Sequence, residues 1–368
     1  MSNSIGKNIV FTLFGESHGG EIGIVADGLP AGLAIDNEFI KLQLSRRRPA
    51  GSISTARREA DEYRIVSGAF NGKTTGAPLC LLIPNKDVRS SAYEFLKETP
   101  RPGHADYTAA VKYGGFADYR GGGHFSGRLT APLTAMGALL MPILKARGID
   151  ISAHIYSVGD IKDKPFTPTA LEMETSRQGF PTIDEAAGER IKEYIKEAAD
   201  NGDSVGGIIE IAVTGFPAGV GEPWFDGVEN SLARGLFGIP AVKGVEFGLG
   251  FGFGNSTGSQ ANDAFSLEKG KVVTKTNNNG GINGGISNGM PLIYRIAVKP
   301  TPSIYKEQRT LNLVSGKEEG LKIEGRHDPA IIHRAIPVAE SVSAMVLCDL
   351  LCEQFGKGCL LQREVVKL

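Results

Sequence analysis

The stretch TAPLTAMGALLMPILKAR, residues 130–147, is almost entirely apolar, and residues 329–355 are similarly rich in apolar side chains. A helix that is hydrophobic around most of its surface is buried on most of its surface. We therefore expect two helices that form the interior layer of the fold. Around them, short alternating runs occur with helices in between, without the strict strand and helix alternation of doubly wound proteins. This pattern predicts an α+β fold.

Two further elements and one irregular region can be placed along the chain. Asp184 is suited to cap a helix that ends before Gly202. The apolar residues of this helix share one face: Ala187, Ile191, Tyr194, Ile195 and Ala198. A strand follows, with Ile209, Ile211 and Val213 on one side. Residues 248–289 hold too few large apolar side chains to build a core of their own. We interpret that region as mobile backbone that a ligand could order.

Composition and charge fit an ordinary enzyme of the cytoplasm. The 368 residues are 41% hydrophobic, and the net charge of -1 lacks the basic excess of nucleic-acid and membrane-surface proteins. No apolar stretch approaches the length that spans a bilayer, and the N-terminus shows no targeting pattern. The four cysteines form no CxxC pair, which favours buried reduced thiols over a zinc site: Cys80, Cys348, Cys352 and Cys359.

Two histidines are mounted on glycine-flanked turns. The tripeptide Glu16-Ser17-His18 lies between Gly15 and Gly19, directly after an apolar strand. A side chain on such a turn can meet a ligand instead of filling a core. His104, in RPGHADY, has a similar setting after a proline and a glycine. Since imidazoles exchange protons near neutral pH, the pair predicts acid/base chemistry.

Three familiar motifs are matched only in part. GESHG fits the G-x-S-x-G elbow of serine hydrolases, but it leads into another strand, EIGIVADG, where the elbow requires a helix. A hydrolase with Ser17 as nucleophile stays an alternative, which labelling by an active-site phosphonate would reveal. GAFNGKTTG resembles a phosphate loop, yet Gly68 is one residue too close to the lysine, and a hairpin turn explains the stretch better. GLGFGFG lacks the spacing of a dinucleotide-binding turn.

The arginines are clustered. Arg46, Arg47 and Arg48 are consecutive, and Arg57 and Arg58 follow closely, without an equal number of adjacent acids. Each one taken alone is explained by a solvated last turn of a helix, but the clustering favours anion binding. Further cationic side chains stand beside glycines, where an anion can approach the backbone: Arg101, Arg120, Arg128, Lys299 and Arg326. The pattern predicts a site for a small, highly charged anion.

Six motifs occur in the order found in chorismate synthases and extend over nearly the whole chain: GESHG, RRRP, RPGHADYT with KYG and DYRGGG, GGISNGMP, KPTPSI and GRHDP. The chain therefore resembles that family. The resemblance implies a lyase that converts 5-enolpyruvylshikimate-3-phosphate to chorismate and phosphate, the last step of the shikimate pathway. It implies one domain over residues 1–368, a β-α-β sandwich of central helices flanked by antiparallel sheets. It further implies a homotetramer that depends on reduced FMN and is associated with NADP.

The implied reaction is an anti-1,4-elimination without net redox change, in which reduced flavin lends an electron to the substrate and recovers it. The substrate carries two carboxylates and a phosphate, so a buried site needs cationic partners. No flavin reductase domain is apparent in the sequence, so we expect reduced flavin to come from a separate protein.

The resemblance also implies roles for individual residues. His104 would donate a proton to the departing phosphate, His18 would lie near the pyrimidine edge of the flavin, and Asp328 would assist at flavin N5. FMN contacts would fall on His124, Phe125, Ser126, Pro240, Ala241, Gly284, Lys299, Pro300, Thr301, Pro302, Ser303 and Arg326. Substrate oxygens would be held by Ser17, Arg47 and Arg128, with Arg48, Arg57 and Arg120 as further candidates. We interpret His154 and His333 as structural and assign His327 no role.

The chain departs from the family pattern GGGRxSxRET, since His124 replaces an arginine and Leu129 a glutamate. An arginine usual after RRRP is also missing, with Ile53 near its place. An imidazole lacks the permanent bidentate charge of a guanidinium, which predicts weaker or more pH-dependent binding of flavin or substrate. A non-catalytic relative that binds flavin and releases no phosphate therefore stays a second alternative.

Overall fold

The structure is a computed structural model that describes residues 3–49, 61–86, 95–323 and 327–361. Its described part is built on two five-stranded antiparallel sheets. The first has the order β1-β2-β3-β7-β4, with the bounds β1 Ser4–Ile5, β2 Val10–Gly15, β3 Glu21–Asp27, β4 Arg64–Ser67 and β7 Leu79–Pro84. Residues at every second position of β3 face the core, as the period-2 geometry of a strand requires. These residues, Ile22, Ile24 and Ala26, are fully buried.

The second sheet has the order β11-β16-β10-β8-β9, with the bounds β8 Asp150–Val158, β9 Ile161–Lys162, β10 Gly207–Thr214, β11 Val242–Phe247 and β16 Leu292–Val298. The predicted strand side is confirmed, since Ile209, Ile211 and Val213 are each fully buried. They lie opposite Ile155, Ala153 and Ile151 of β8 and form the inner face of this sheet.

Three helices fill the space between the sheets: α1 Asn37–Arg47, α3 Thr130–Lys145 and α8 Ile332–Phe355. Helix α3 packs on α1, α8, β3 and β7, and α8 packs on β8 and β10. The two apolar stretches therefore form the interior layer, and the predicted α+β sandwich is confirmed. At their closest crossing, a Cβ atom on Gly137 would lie 2.2 Å from Cβ of Ser341, so only glycine lets these helices approach this closely.

The expectation that no stretch approaches the length of a membrane span is wrong. The stretches Arg120–Lys145 and Ile332–Phe355 are long and apolar enough by length and composition. However, 83% and 94% of their most apolar windows are buried inside the protein. Their apolar character serves the interior of the sandwich, as expected for core helices.

The remaining elements surround this frame: β5 Ala69–Phe70, β6 Lys73–Thr74, α2 Asp106–Lys112, α4 Ala170–Thr175, α5 Glu185–Asp200, α6 Val228–Leu236, α7 Gly258–Ala261, β12 Phe265–Glu268, β13 Lys271–Thr274, β14 Ile282–Asn283, β15 Ile286–Ser287, β17 Gln308–Leu311 and β18 Glu318–Leu321. Helix α5 confirms the predicted cap, since the Asp184 carboxylate accepts from Ala186 N. Strands β5 and β6 form the hairpin predicted in place of a phosphate loop.

Residues 248–289 have more regular structure than the sequence indicated. They contain α7 and the hairpins β12–β13 and β14–β15. The Asp263 carboxylate accepts hydrogen bonds from Thr276 Oγ1 and from the backbone N–H groups of Asn278 and Asn279. A polar side chain thus organises a segment that lacks large apolar residues, which hydrophobic periodicity could not indicate.

All four cysteines are free thiols. Cys348 and Cys352 are buried in α8, whereas Cys80 and Cys359 are only half-buried. Burial raises the pKa of Cys352 to about 12, so this thiol is protonated at neutral pH.

Candidate functional site

The turn that carries Ser17 and His18 connects β2 directly to β3. Both side chains point inward, with exposures of 2% and 7%. The backbone N–H of Ser17 donates to Gly123 O at 3.0 Å, and the Asn85 amide donates to Glu16 O and Gly19 O at 3.0 and 2.9 Å. The turn is therefore fixed from two sides. Strand β3, and not a helix, follows the turn directly, so the hydrolase elbow is not formed.

The glycines at 121 and 122 bring the two predicted histidines together. Both have positive φ angles, 57° and 83°. A Cβ atom on Gly121 would lie 2.5 Å from His18 Nε2, and one on Gly122 would lie 3.3 Å from His104 Nε2. The histidines, 86 residues apart in sequence (104 − 18), thus flank one backbone turn. Glycine is required at 121 both for its φ and for the space that the imidazole occupies.

His104 is held by an ion pair that sequence reasoning did not identify. Its Nδ1 lies 2.6 Å from Asp106 Oδ1, and Arg101 Nε lies 2.7 Å from Asp106 Oδ2. Burial raises the pKa of Asp106, but hydrogen bonds from Arg101 and His104 outweigh it and leave the pKa well below its usual range. Arg101 also donates to Ser303 Oγ at 3.3 Å. This arginine therefore supports the loop instead of standing open to a ligand.

The predicted flavin segment, residues 299–303, passes beside the His104 loop. The Lys299 N–H donates to Ala241 O at 2.9 Å, and its ammonium donates to Gly103 O. Thr301 Oγ1 donates to Asp328 O at 2.9 Å. Within the described ranges, no carboxylate lies at ion-pair distance from Lys299. Residues 299–303 thus lie beside Pro240 and Ala241, the loop of His104, and Asp328. The ammonium of Lys299 has no carboxylate partner within the described ranges.

Two predicted substrate arginines share one buried carboxylate. Arg47 Nη2 lies 2.8 Å from Asp61 Oδ2, and Arg128 Nη1 donates to Asp61 Oδ1. Burial raises the pKa of Asp61, but the charges of Arg47 and Arg128 prevail and lower it. Arg128 Nε donates to Asn85 Oδ1 at 3.1 Å, which ties this pair to the turn of His18. Asp61 therefore holds Arg47 and Arg128 together beside the turn of His18.

The remaining arginines of the first cluster serve other purposes. Arg46 turns toward Glu340 of α8, whose side chain is completely buried, and Arg46 Nη2 donates to Glu340 Oε1 at 3.2 Å. Arg48 caps the end of α1 and lines a cavity of about 1130 Å³ between α1 and the β5–β6 hairpin. Neither His18 nor His104 lines that cavity. Consecutive residues of a helix end point in different directions, so the three charges do not act as one group.

Asp328 lies between the flavin segment and the substrate arginines. Its carboxylate accepts from Arg334 Nη1, and Arg334 Nε donates to Arg47 O at 2.9 Å. Burial and the neighbouring Arg334 lower the pKa of His333 to about 4, so this histidine is neutral at pH 7. His327 packs against Tyr305, with 5.2 Å between ring centroids.

Several predicted flavin contacts are engaged elsewhere. Both ring nitrogens of His124 have partners within the chain, since Nδ1 lies 2.7 Å from Gly15 O and Nε2 lies 3.3 Å from Asn3 Oδ1. Phe125 is 37% exposed, and Ser126 Oγ accepts from Arg128 N at 3.3 Å. Gly284 lies on the β14–β15 hairpin, and among the described contacts none joins it to the histidines. Arg57, Ile53 and Arg326 lie outside the described residues.

Arg120, a further substrate candidate, is paired inside its own loop. Its Nη2 lies 2.8 Å from Asp118 Oδ2, and the Arg120 hydrogen bond lowers the pKa of Asp118. The charge of His18 lowers it further, which indicates that Asp118 lies near that imidazole.

His154 lies in a separate buried charge cluster on the second sheet. Its Nδ1 lies 2.9 Å from Asp163 and its Nε2 lies 3.1 Å from Glu210, with all three side chains fully buried. Arg295 Nε donates to Glu210 at 2.8 Å. Burial lowers the pKa of His154, but the two carboxylates outweigh it and raise the pKa above its ordinary value.

Four residues of the site were missed from sequence: Asp61, Asn85, Asp106 and Arg334. Asp106 stands two residues after His104 inside a motif that was singled out, so its position gave a usable signal. The other three reach the site only through pairing of distant elements, which one sequence does not reveal.

The chain is similar in sequence and in fold to known proteins of one family. The family model described as chorismate synthase matches residues 9–352. A chorismate synthase of Pyrococcus abyssi is 50% identical over 94% of this chain and 96% of its own length. One of Dehalococcoides mccartyi is 47% identical over 95% and 96%. A crystal structure of chorismate synthase superposes with a TM-score of 0.74 at 29% identity, covering 95% of this chain and 94% of that one. With a matching model over most of its length and such relatives, the protein belongs to the chorismate synthase family of lyases.

Proposed function

We propose that the protein eliminates phosphate from 5-enolpyruvylshikimate-3-phosphate in an anti-1,4 reaction to give chorismate, with reduced FMN and no net redox change. Family membership supports the activity. The observation that carries the chemistry is the placement of His18 and His104 on the two sides of the Gly121 and Gly122 turn. An acid and a second imidazole at one turn, beside the guanidinium of Arg128, suit the departure of an anionic leaving group.

The polar atoms around this turn fit an anionic substrate. Ser17 Oγ and Arg47 Nε are buried without a hydrogen-bond partner in the described part of the chain. Leaving such a group unsatisfied costs about 1–3 kcal/mol, which ligand oxygens would recover. Arg47 and Arg128 also present guanidinium groups, which bind carboxylate and phosphate oxygens through paired N–H donors. We therefore assign substrate oxygens to Ser17, Arg47 and Arg128.

The residues beside His104 fit the phosphate-bearing flavin. Lys299 offers an ammonium that no described carboxylate neutralises. Residues 299–302 form an exposed to half-buried edge next to Pro240 and Ala241, and Ser303 behind them is buried. We assign FMN to this edge, with Arg326 as an additional contact by family resemblance. When bound, reduced FMN supplies the electron density that makes the elimination possible and accepts the hydrogen that the ring loses.

The protein's own groups then have separate tasks. His104 Nε2 faces the Gly122 backbone and donates a proton to the oxygen of the departing phosphate as the carbon–oxygen bond breaks. General acids in this role contribute about 10²- to 10⁴-fold in rate. His18 lies on the other side of the turn and stabilises negative charge on the cofactor side. We assign Asp328, whose carboxylate Arg334 holds, to the position where the ring hydrogen leaves.

The remaining expectations are part of the same proposal. We infer a single domain over residues 1–368, supported by a main hydrophobic core whose members run from Ile9 to Leu360. A homotetramer, reduced flavin supplied by a separate reductase, an association with NADP and a cytoplasmic location stay predictions from family resemblance.

Anaerobic incubation with the enolpyruvyl substrate and dithionite-reduced FMN tests this proposal. We expect phosphate and chorismate in equal amounts with no net consumption of reductant, and no phosphate when the flavin is oxidised. Tight FMN binding without phosphate release would identify a non-catalytic relative and refute the proposal. Labelling of Ser17 by a phosphonate, with substrate hydrolysis in the absence of flavin, would support the hydrolase alternative.

A further inference from the structure

The Asp106 carboxylate is the meeting point of four donors around His104. It lies at the first residue of α2, and its side chain is 5% exposed. His104 Nδ1 approaches Oδ1 at 2.6 Å, Arg101 Nη2 approaches Oδ1 at 2.8 Å, and Arg101 Nε and N approach Oδ2 at 2.7 and 3.1 Å. An ionised carboxylate only accepts hydrogen bonds, so His104 Nδ1 carries a proton in this arrangement.

This contact decides which ring nitrogen faces the reaction. With Nδ1 bound to Asp106, Nε2 is directed to the opposite edge of the ring, toward the backbone of Gly122. Arg101 Nη2 lies 3.0 Å from Nδ1 and 3.2 Å from Nε2. A donor nearly equidistant from both nitrogens lies against the ring face and not in line with either lone pair. The ring is thus held at one edge by Asp106 and on one face by Arg101.

We propose that Asp106, fixed by Arg101, is the positioning residue that orients His104 and keeps Nδ1 protonated, so that the proton given to the departing phosphate comes from Nε2 of the doubly protonated ring. The inference rests on the proposed elimination and adds a residue to it. An imidazole without this partner has two ring orientations and two neutral tautomers available. Asp106 removes that freedom before substrate binds, which is how a supporting carboxylate increases the rate without touching the substrate.

Replacing Asp106 by asparagine separates this role from a merely structural one. The asparagine oxygen would face the charged Arg101, and its NH₂ group would face His104 Nδ1. Nδ1 would then have to accept, so the neutral ring would carry its proton on Nε2. A structural ion pair with Arg101 would change the stability of the loop but would not move that proton.

The test measures kinetics and the His104 tautomer in parallel. Ring ¹⁵N shifts of histidine-labelled protein, with His104→Gln to assign the signals, report the protonated nitrogen without turnover. For Asp106→Asn we expect loss of the Nδ1 proton, which leaves a neutral Nε2–H ring that is a weaker acid than the doubly protonated one. We expect kcat to fall by about 10²-fold or more, with KM within about threefold of the wild-type value. Asp106→Asn combined with His104→Gln should be no slower than His104→Gln alone, because Asp106 acts through His104. Asp150→Asn is the matched control, since Asp150 is bound by Arg177 at 2.6 Å without a histidine.

Each outcome is decisive. Retention of the His104 Nδ1 proton in Asp106→Asn, or a kcat equal to that of Asp150→Asn, would overturn the inference. If Asp106→Asn fails to fold, Asp106→Glu keeps the carboxylate and should retain Nδ1–H with kcat within about tenfold of wild type. If Asp106→Glu retained the Nδ1 proton but lost activity to the level of His104→Gln, the inference would be contradicted. Absence of phosphate release by the wild-type protein would refute the proposed function, whereas the tautomer measurement would still report on Asp106.

Discussion

Substituting Gly121 by alanine tests the turn that joins the two histidines. The added Cβ would lie 2.5 Å from His18 Nε2, 2.6 Å from His18 Cδ2 and 3.1 Å from Ser17 Oγ. Ordinary contacts of a Cβ atom begin near 3.4 Å, so the His18 ring has to withdraw by about 0.9 Å (3.4 − 2.5). The same substitution places alanine at a φ of 57°.

These two effects have different magnitudes and different readouts. The left-handed backbone costs about 1–2 kcal/mol, which lowers the melting temperature of a chain of this size by about 1–3 °C. Displacing a catalytic side chain by roughly 1 Å costs about 10²-fold in rate. We therefore expect Gly121→Ala to fold almost normally and to lose about two orders of magnitude in kcat/KM.

Anaerobic phosphate release at saturating reduced FMN, with thermal unfolding of the same preparations, measures both effects. Gly72→Ala is the control for backbone strain, since Gly72 has a φ of 72° and open space around its Cβ position. Gly127→Ala controls for a substitution in the same loop without strain or contact. Activity of Gly121→Ala within about threefold of Gly72→Ala would refute the placement of His18 at the reaction site.

Three further predictions concern charges. Asp61→Asn leaves Arg47 and Arg128 buried without their shared carboxylate, so the free energy of unfolding should fall by about 3–5 kcal/mol. Added phosphate should restore part of this loss of stability. A loss below about 1 kcal/mol would contradict the prediction. Because the pKa of Asp61 is lowered in the folded protein, its ionised carboxylate stabilises the fold above a pH of about 4. This stabilisation is lost as the pH falls through the pKa of Asp61 in the folded protein. The raised pKa of His154 makes stability depend on pH in the opposite direction: the protonated imidazole stabilises the fold fully below a pH of about 6.5, and this stabilisation declines as the pH rises. The difference in free energy of unfolding between the wild type and His154→Gln should therefore decrease from pH 6 to pH 9. A difference that stays constant would count against a buried cation at His154. His124→Arg should bind flavin more tightly or with less dependence on pH, and equal affinities at pH 6 and pH 8 in both proteins would exclude a role for this departure.

The interior of the fold was predictable because it depends on periodicity alone. Helices α3 and α8 are apolar on nearly every side, and β10 has β-branched residues at alternate positions, so the burial of both helices and of that strand side follows from side-chain order. The other side of β10, with Glu210 and Ala212, is also buried, which alternation did not predict. The Asp184 cap and the β5–β6 hairpin follow from local chemistry in the same way. Each of these features is decided within about ten residues of chain.

The pairing of charges was not predictable, because it depends on contacts between distant elements. Arg46 and Arg47 are neighbours in sequence, yet one contacts Glu340 of α8 and the other contacts Asp61. Clustering of arginines predicted a site for a small anion, but the sequence did not show that Arg47 and Arg128 share the carboxylate of Asp61. Residues 248–289 were misjudged for a related reason, since Asp263 organises backbone 13 to 16 residues away.

A crystal structure grown anaerobically with FMN and the enolpyruvyl substrate tests most directly whether His18 and His104 define the reaction site. We expect the flavin ring next to His18 and residues 299–303, and the substrate phosphate within hydrogen-bond distance of His104 Nε2. Flavin bound away from both imidazoles, or a phosphate held only by other side chains, would contradict the account.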